Sequence, residues 1–174
     1  MGRRTETTAY LKECICDALI QLMKNTPADK IRIQEITDLA GVGRMTYFRY
    51  FQSKTDVLVF KLQRLWKEWT AEHPCSYPIG CYEHALWFFS FWYSIRPLLS
   101  LLYRQNRYDV LLQVFLQYAS IVEGDFRREQ YHEYHEMFFA YGMLGILIKW
   151  TVTGFQKTPE KLAALCTQES KQNR

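Results

Sequence analysis

The stretch from Ile33 to Lys54 constrains this chain more than any other. Ile36, Leu39 and Ala40 mark the apolar stripe of a short helix. Gly41 follows, where a positive φ costs little, and then Val42 and Gly43. From Arg44 the sequence turns aromatic, basic and hydroxylated: Arg44-Met45-Thr46-Tyr47-Phe48-Arg49-Tyr50-Phe51. Two short helices joined by a glycine turn are the layout of a helix-turn-helix, whose second helix suits the major groove of DNA. Ser53, with Asp56 three residues on, is a capping-box start for another helix.

The flanking sequence is helical as well. Leu11, Ile15, Ala18 and Leu22 form one face of a helix from about Thr5 to Asn25, and Thr26-Pro27-Ala28-Asp29 breaks it. This helix is expected to brace the helix-turn-helix and to leave Arg3 and Arg4 free to touch a DNA backbone. The helix opened by Ser53 runs to about Ala71, and at roughly 18 residues it would span about 27 Å. His73-Pro74-Cys75-Ser76-Tyr77-Pro78-Ile79-Gly80 is the clearest break in the sequence. Beyond it, residues 82–95 are apolar nearly all round, the pattern of a helix buried on several sides. Pro97 opens a short helix to about Gln105, and further helices are expected over 109–126 and 129–153, the latter closed by Gly154. Thr158-Pro159-Glu160 combines a cap, a first-turn proline and an acid, starting a last helix to about Ser170. With five prolines, eight glycines and a 48% hydrophobic fraction, the expectation is an all-α chain. It divides into a head over residues 1–52 and a body over residues 53–174.

Charge placement favours a nucleic-acid partner for the head. Residues 1–71 hold 12 Lys/Arg against 8 Asp/Glu, and residues 72–174 hold 10 of each, so the whole net charge of +4 falls on the first segment. Cys14, Cys16, Cys75, Cys81 and Cys166 are odd in number and lack Cys-x-x-Cys spacing, as expected of reduced thiols in a cytoplasmic protein. The N-terminal residues carry no apolar signal core, and no apolar run approaches a membrane span. Nucleophilic triads, phosphate loops and zinc-finger spacing are absent, so no enzymatic activity is expected. The nearest thing to metal chemistry is Glu129-x-x-His132, with His135 and Glu136 close by, but di-iron bundles need two such motifs and two more glutamates. Neither a metal nor a cofactor is expected.

Ala40-Gly41-Val42-Gly43, Thr46, Phe48, Tyr50-Phe51, Ser53-Lys54, Asp56 and Leu58 together resemble the DNA-binding signature of the TetR family of transcriptional regulators. The likeness covers roughly residues 8–60. Phe139-Ala140-Tyr141-Gly142, Lys149-Trp150, Gly154-Phe155 and Thr158-Pro159-Glu160 resemble the C-terminal half of a TetR-like subgroup that includes the dihydroxyacetone-kinase regulators. The chain departs from the family at three places. Arg32 stands where a Thr or Ser cap is usual, Gly43 where a serine is usual, and Tyr47-Phe48 where the pair normally ends in tyrosine. The phosphate-binding phenol is then expected from Tyr47, or its role from Arg44 and Arg49.

The resemblance implies a three-helix head, a linking helix and a C-terminal bundle whose last two long helices form a dimer interface. It also implies a homodimeric regulator, a repressor, that binds a palindromic double-stranded operator. The residues expected at the DNA are Arg32, Gly43, Arg44, Met45, Thr46, Tyr47, Phe48, Tyr50 and Lys54. Arginine is the commonest reader of guanine, Thr46 suits a thymine methyl, and Lys54 at a helix N-terminus suits a phosphate. Phe51, Val42 and Leu39 are expected in the core. Two heads about 34–36 Å apart would read an inverted repeat. Phe138, Gly142, Gly145, Lys149, Leu162 and Leu165 are the expected dimer surface, since glycines at this spacing let helices approach closely. Trp66, Trp69, Trp87, Phe88, Trp92, Tyr93, Tyr103, Phe115 and Tyr118 are candidates to line a cavity for a small apolar or aromatic effector, the alternative being packed core. A body that docks a protein partner instead, making the chain a co-activator or adaptor, is the rival reading.

Overall fold

The computed structural model describes the backbone of residues 2–78, 80–122 and 132–172, with side chains over 7–78, 80–117, 134 and 137–167. Every regular element among the described residues is helical, so the chain is all-α. In order these are α1 (Gly2–Met23), a 3-10 turn (Ala28–Lys30), α2 (Ile33–Ala40), α3 (Arg44–Tyr50) and α4 (Lys54–Glu72), followed by α5 (Tyr82–Ser94), α6 (Arg96–Arg104), α7 (Tyr108–Val122), α8 (His132–Val152) and α9 (Pro159–Gln172).

Local signals in the sequence set most of the helix ends. Gly41 closes α2 at φ 66°, a left-handed conformation that any side chain would strain. Ser53 accepts a hydrogen bond from the Asp56 N–H, while the Asp56 carboxylate accepts from the Gln52 and Ser53 N–H groups. Pro97 sits in the first turn of α6, where its missing N–H costs nothing.

The first four helices each bury one side. Ile15, Cys16, Ala18, Leu19 and Met23 of α1 are buried, as are Ile36 of α2, Tyr47 of α3, and Val57, Leu58, Val59 and Leu62 of α4. Leu39, placed in the core on its spacing, is instead 46% exposed. α2 is only eight residues long, and Ile36 with Thr37 supplies its buried face, which turns Leu39 outward.

α4 is the long connector. It packs on both α1 and α7. Lys61 bridges Glu13 at 2.6 Å and Asp17 at 2.9 Å, and Arg64 bridges Glu13 at 2.8 Å, so the α1–α4 seam carries an ionic network as well as apolar packing. In the body α9 packs on α5, and α8 packs on α7 and α6. Phe88, Phe89, Phe91 and Trp92 of α5 are all buried, which explains a helix apolar nearly all round.

Among the described residues no single helix is long and apolar enough to cross a membrane. The α5–α6 pair, which is apolar enough when taken together, bends by 67° and buries Phe88, Phe89, Phe91, Trp92, Leu99, Leu101 and Leu102 in this core.

Candidate nucleic-acid interface

The helix-turn-helix is built on Tyr47 and Phe51. Tyr47 is 0% exposed and Phe51 is 4% exposed, with ring centroids 6.1 Å apart, and Phe51 meets Phe60 of α4 edge-on at 5.6 Å. With one side of α3 anchored in this way, Arg44, Met45, Phe48 and Arg49 lie exposed on the other. Met45 is 79% exposed and Phe48 51%. An outward helix face with two guanidinium groups, a thioether and an aromatic ring fits hydrogen-bond and apolar contact with base edges. Thr46 and Tyr50 are half-buried at its margins, and the Lys12 ammonium stands 5.5 Å from the Tyr50 ring centre.

Two expected DNA contacts are corrected. Tyr47 cannot supply the phenol in place of Phe48. Its ring is core, its hydroxyl has no hydrogen-bond partner, and burial pushes its pKa up to about 12. Lys54 does not present a free ammonium. It reaches back across the head to donate to the carbonyls of Ala28 at 2.5 Å, Ile31 at 2.9 Å and Asp29 at 3.4 Å. Burial lowers its pKa, partly opposed by Asp29. Lys54 therefore closes the α1–α2 connection, satisfying carbonyls that the 3-10 turn leaves open.

The departures from the expected pattern have structural consequences. Arg32 precedes α2 without a hydroxyl cap. Instead the Glu35 carboxylate accepts from the Arg32 backbone N–H at 2.8 Å and from its side chain at 3.1 Å. That hydrogen bonding holds the Glu35 pKa down and leaves the Arg32 side chain largely in solvent. Gly43 precedes α3 in extended conformation without a side-chain cap, and a Cβ there would meet nothing within 4 Å.

Sequence reasoning missed the residue that ties head to body, Gln105, and a polar junction at the start of α4. Gln105, at the end of α6, donates to the Met23 carbonyl at 2.6 Å and the Thr26 carbonyl at 3.2 Å, and accepts from the Ala28 N–H at 2.8 Å. Arg107 donates to the Thr55 hydroxyl at 2.5 Å and pairs with Asp109 at 2.8 Å, holding that carboxyl below its usual range. The Gln105 bonds and the Arg107–Thr55 bond join residues 52 to 82 positions apart, so no local pattern announces them.

In the body, the nine aromatic candidates divide. Trp66, Phe88, Trp92 and Phe115 line one cavity of about 210 Å³ together with Leu62, Gln63, Phe91, Val114 and Gln117. The others whose side chains are described are not in its wall. Trp69 stacks on His73, Trp87 donates to the His73 carbonyl, Tyr93 stacks on Trp150, and Tyr103 meets Tyr108 edge-on. The Tyr118 side chain lies outside the described residues.

The expected dimer surface divides too. Leu162 is 8% exposed and belongs to the core, because α9 turns that face toward α5. Phe138 is 82% exposed and Leu165 is 49% exposed, with Gly142, Gly145 and Lys149 also at the surface. Tyr134, Tyr141 and Val152 continue the same side of α8, whereas Ala140, Leu144, Leu147 and Trp150 face inward. Among the described residues α8 thus carries two apolar faces, one turned inward and one exposed. A groove of about 690 Å³ follows the outer one, lined by Gly142, Gly145, Ile146, Lys149 and Leu165 among others.

No cluster of metal-ligating side chains occurs among the described residues; Glu129 and the side chains of His132, His135 and Glu136 lie outside them, as do the side chains of Arg3 and Arg4. No disulfide joins any of the five cysteines, and burial pushes the Cys16 thiol up to about 12, well away from reactivity. Compared with known proteins, the chain matches no family model and no curated sequence, so the functional reading rests on the residues and their placement.

Proposed function

We propose that this chain is a homodimeric, TetR-like transcriptional regulator, a repressor, that reads an inverted-repeat operator in the major groove. Its DNA affinity is set by a small apolar or aromatic effector held in the body. The observation that carries this reading is the outer face of α3. Arg44, Met45, Phe48 and Arg49 stand in solvent there while Tyr47 and Phe51 fix the helix from behind. The excess positive charge of residues 1–71 supports it, since it falls on the segment that contains the helix-turn-helix. A single head reads only a few base pairs, and the exposed apolar face of α8 supplies a surface on which a second copy would seat.

A second reading, an adaptor whose body docks a protein partner, draws on one observation. Much of the aromatic set packs outside the cavity, which is small for a ligand site.

The test lies in Arg44. Arg44→Ala is expected to lower affinity for the preferred duplex by roughly 5- to 150-fold, about 1–3 kcal/mol, and to relax sequence choice at one position of each half-site. Competition binding against single-base variants of the site measures this. A uniform loss across all duplexes would make Arg44 a phosphate contact only.

A further inference from the structure

We propose that the cavity between α4, α5 and α7 takes a compact, uncharged aromatic molecule carrying one hydrogen-bond acceptor, which the indole N–H of Trp92 holds. The inference rests on the effector reading above and gives that effector a chemical class.

Size sets the first limit. A cavity of about 150 Å³ with apolar walls holds one benzene, and sites for drug-sized ligands start near 300 Å³. At about 210 Å³ this one accommodates a single substituted ring. The lining sets the second. Leu62, Trp66, Phe88, Phe91, Val114 and Phe115 contribute hydrocarbon and aromatic faces, and no charged side chain lines the cavity. A charged ligand would lose its hydration there with nothing in return.

The third limit comes from Trp92. It lines the cavity, is 2% exposed, and its Nε1–H has no hydrogen-bond partner. Indole is a donor only, so the missing partner is an acceptor, such as a carbonyl or ether oxygen. A buried donor left unpaired raises the free energy of the empty state, and a ligand that supplies the acceptor recovers it. Trp69 also has an unpartnered buried indole N–H, but it stacks on His73 and does not line the cavity. Gln63 of α4 and Gln117 of α7 are exposed lining residues that are hydrogen-bonded to each other, forming a polar rim that an entering ligand must part. Because Leu62, Gln63 and Trp66 belong to α4, occupancy bears directly on the connector to the head.

Acetophenone and ethylbenzene share a ring and nearly a volume, and differ by the acceptor. Calorimetric titration of the full chain with each is expected to give roughly tenfold tighter binding of acetophenone. Trp92→Phe should bring the two affinities together while leaving that of ethylbenzene nearly unchanged. Should Trp92→Phe fail to fold, the indole proton resonances of the unaltered chain decide the same point. One of them should move downfield with acetophenone and not with ethylbenzene. Equal binding of both compounds with no such shift would overturn the acceptor while leaving an apolar effector site in place. Binding of neither would overturn the cavity as a site, and with it effector control, although DNA binding measured alongside would be untouched. Selective acetophenone binding without any change in DNA affinity would support the site and count against the regulatory reading.

Discussion

Replacing Gly142 with leucine is expected to convert the proposed dimer to a monomer and to lower operator affinity by roughly 10²–10⁴-fold, the contribution that a second linked head makes. The expectation turns on what a side chain at this position would meet. Gly142 lies within α8 at the surface, and a Cβ built there touches nothing within 4 Å of its own chain. Inside the protomer the substitution is neutral or better, since leucine is favoured over glycine in a helix interior by up to about 1 kcal/mol. Only a helix approaching from another molecule would be obstructed. Sedimentation equilibrium together with thermal unfolding separates the cases. A folded monomer with weakened DNA binding places the seam at Gly142. A variant that remains dimeric and binds DNA as before would move it elsewhere on the body.

The second large effect concerns stability. Lys54→Met is expected to destabilise the head by about 2–3 kcal/mol, because it strips an ammonium from the carbonyls of Ala28, Asp29 and Ile31 and leaves the partly buried ones unpaired. Lys54→Arg should not restore it fully, because the flat guanidinium fork does not converge on three carbonyls as a compact ammonium does. Urea unfolding monitored by circular dichroism gives the number. Were Lys54 a phosphate ligand and nothing more, the methionine variant would unfold at the same urea concentration as the parent and differ only in DNA affinity.

Lys54 also illustrates how far the sequence could be read. The helix starts and stops were legible because their causes are local. Ser53 with Asp56, Pro97, Gly41 and Thr158-Pro159-Glu160 each act within one turn of the residue that signals them. What escaped was anything that depended on distant partners. Lys54 looks like an anion site from its neighbours at a helix start, yet residues 23 to 26 positions away claim its ammonium. Gln105 carries no local motif, and it closes the head–body junction through three hydrogen bonds.

Short helices were the other source of error. With seven residues in α3, spacing alone did not show whether Tyr47 or Phe48 turns inward, and packing against Phe51 and the rest of the core selects Tyr47. Leu39 and Leu162 failed in opposite directions for a related reason. Apolar character says that a residue can be buried, but the neighbouring helix decides which side of it is covered.

The claim underneath all of this is that α3 reads DNA sequence, and selection from a random duplex pool tests it most directly. Purified full-length chain incubated with the pool at near-physiological salt, followed by sequencing of the bound fraction, is expected to enrich an inverted repeat. Its half-site centres should lie one helical turn apart, about 10 base pairs, or a multiple of that. A bound fraction with the same sequence composition as the input pool would contradict the account.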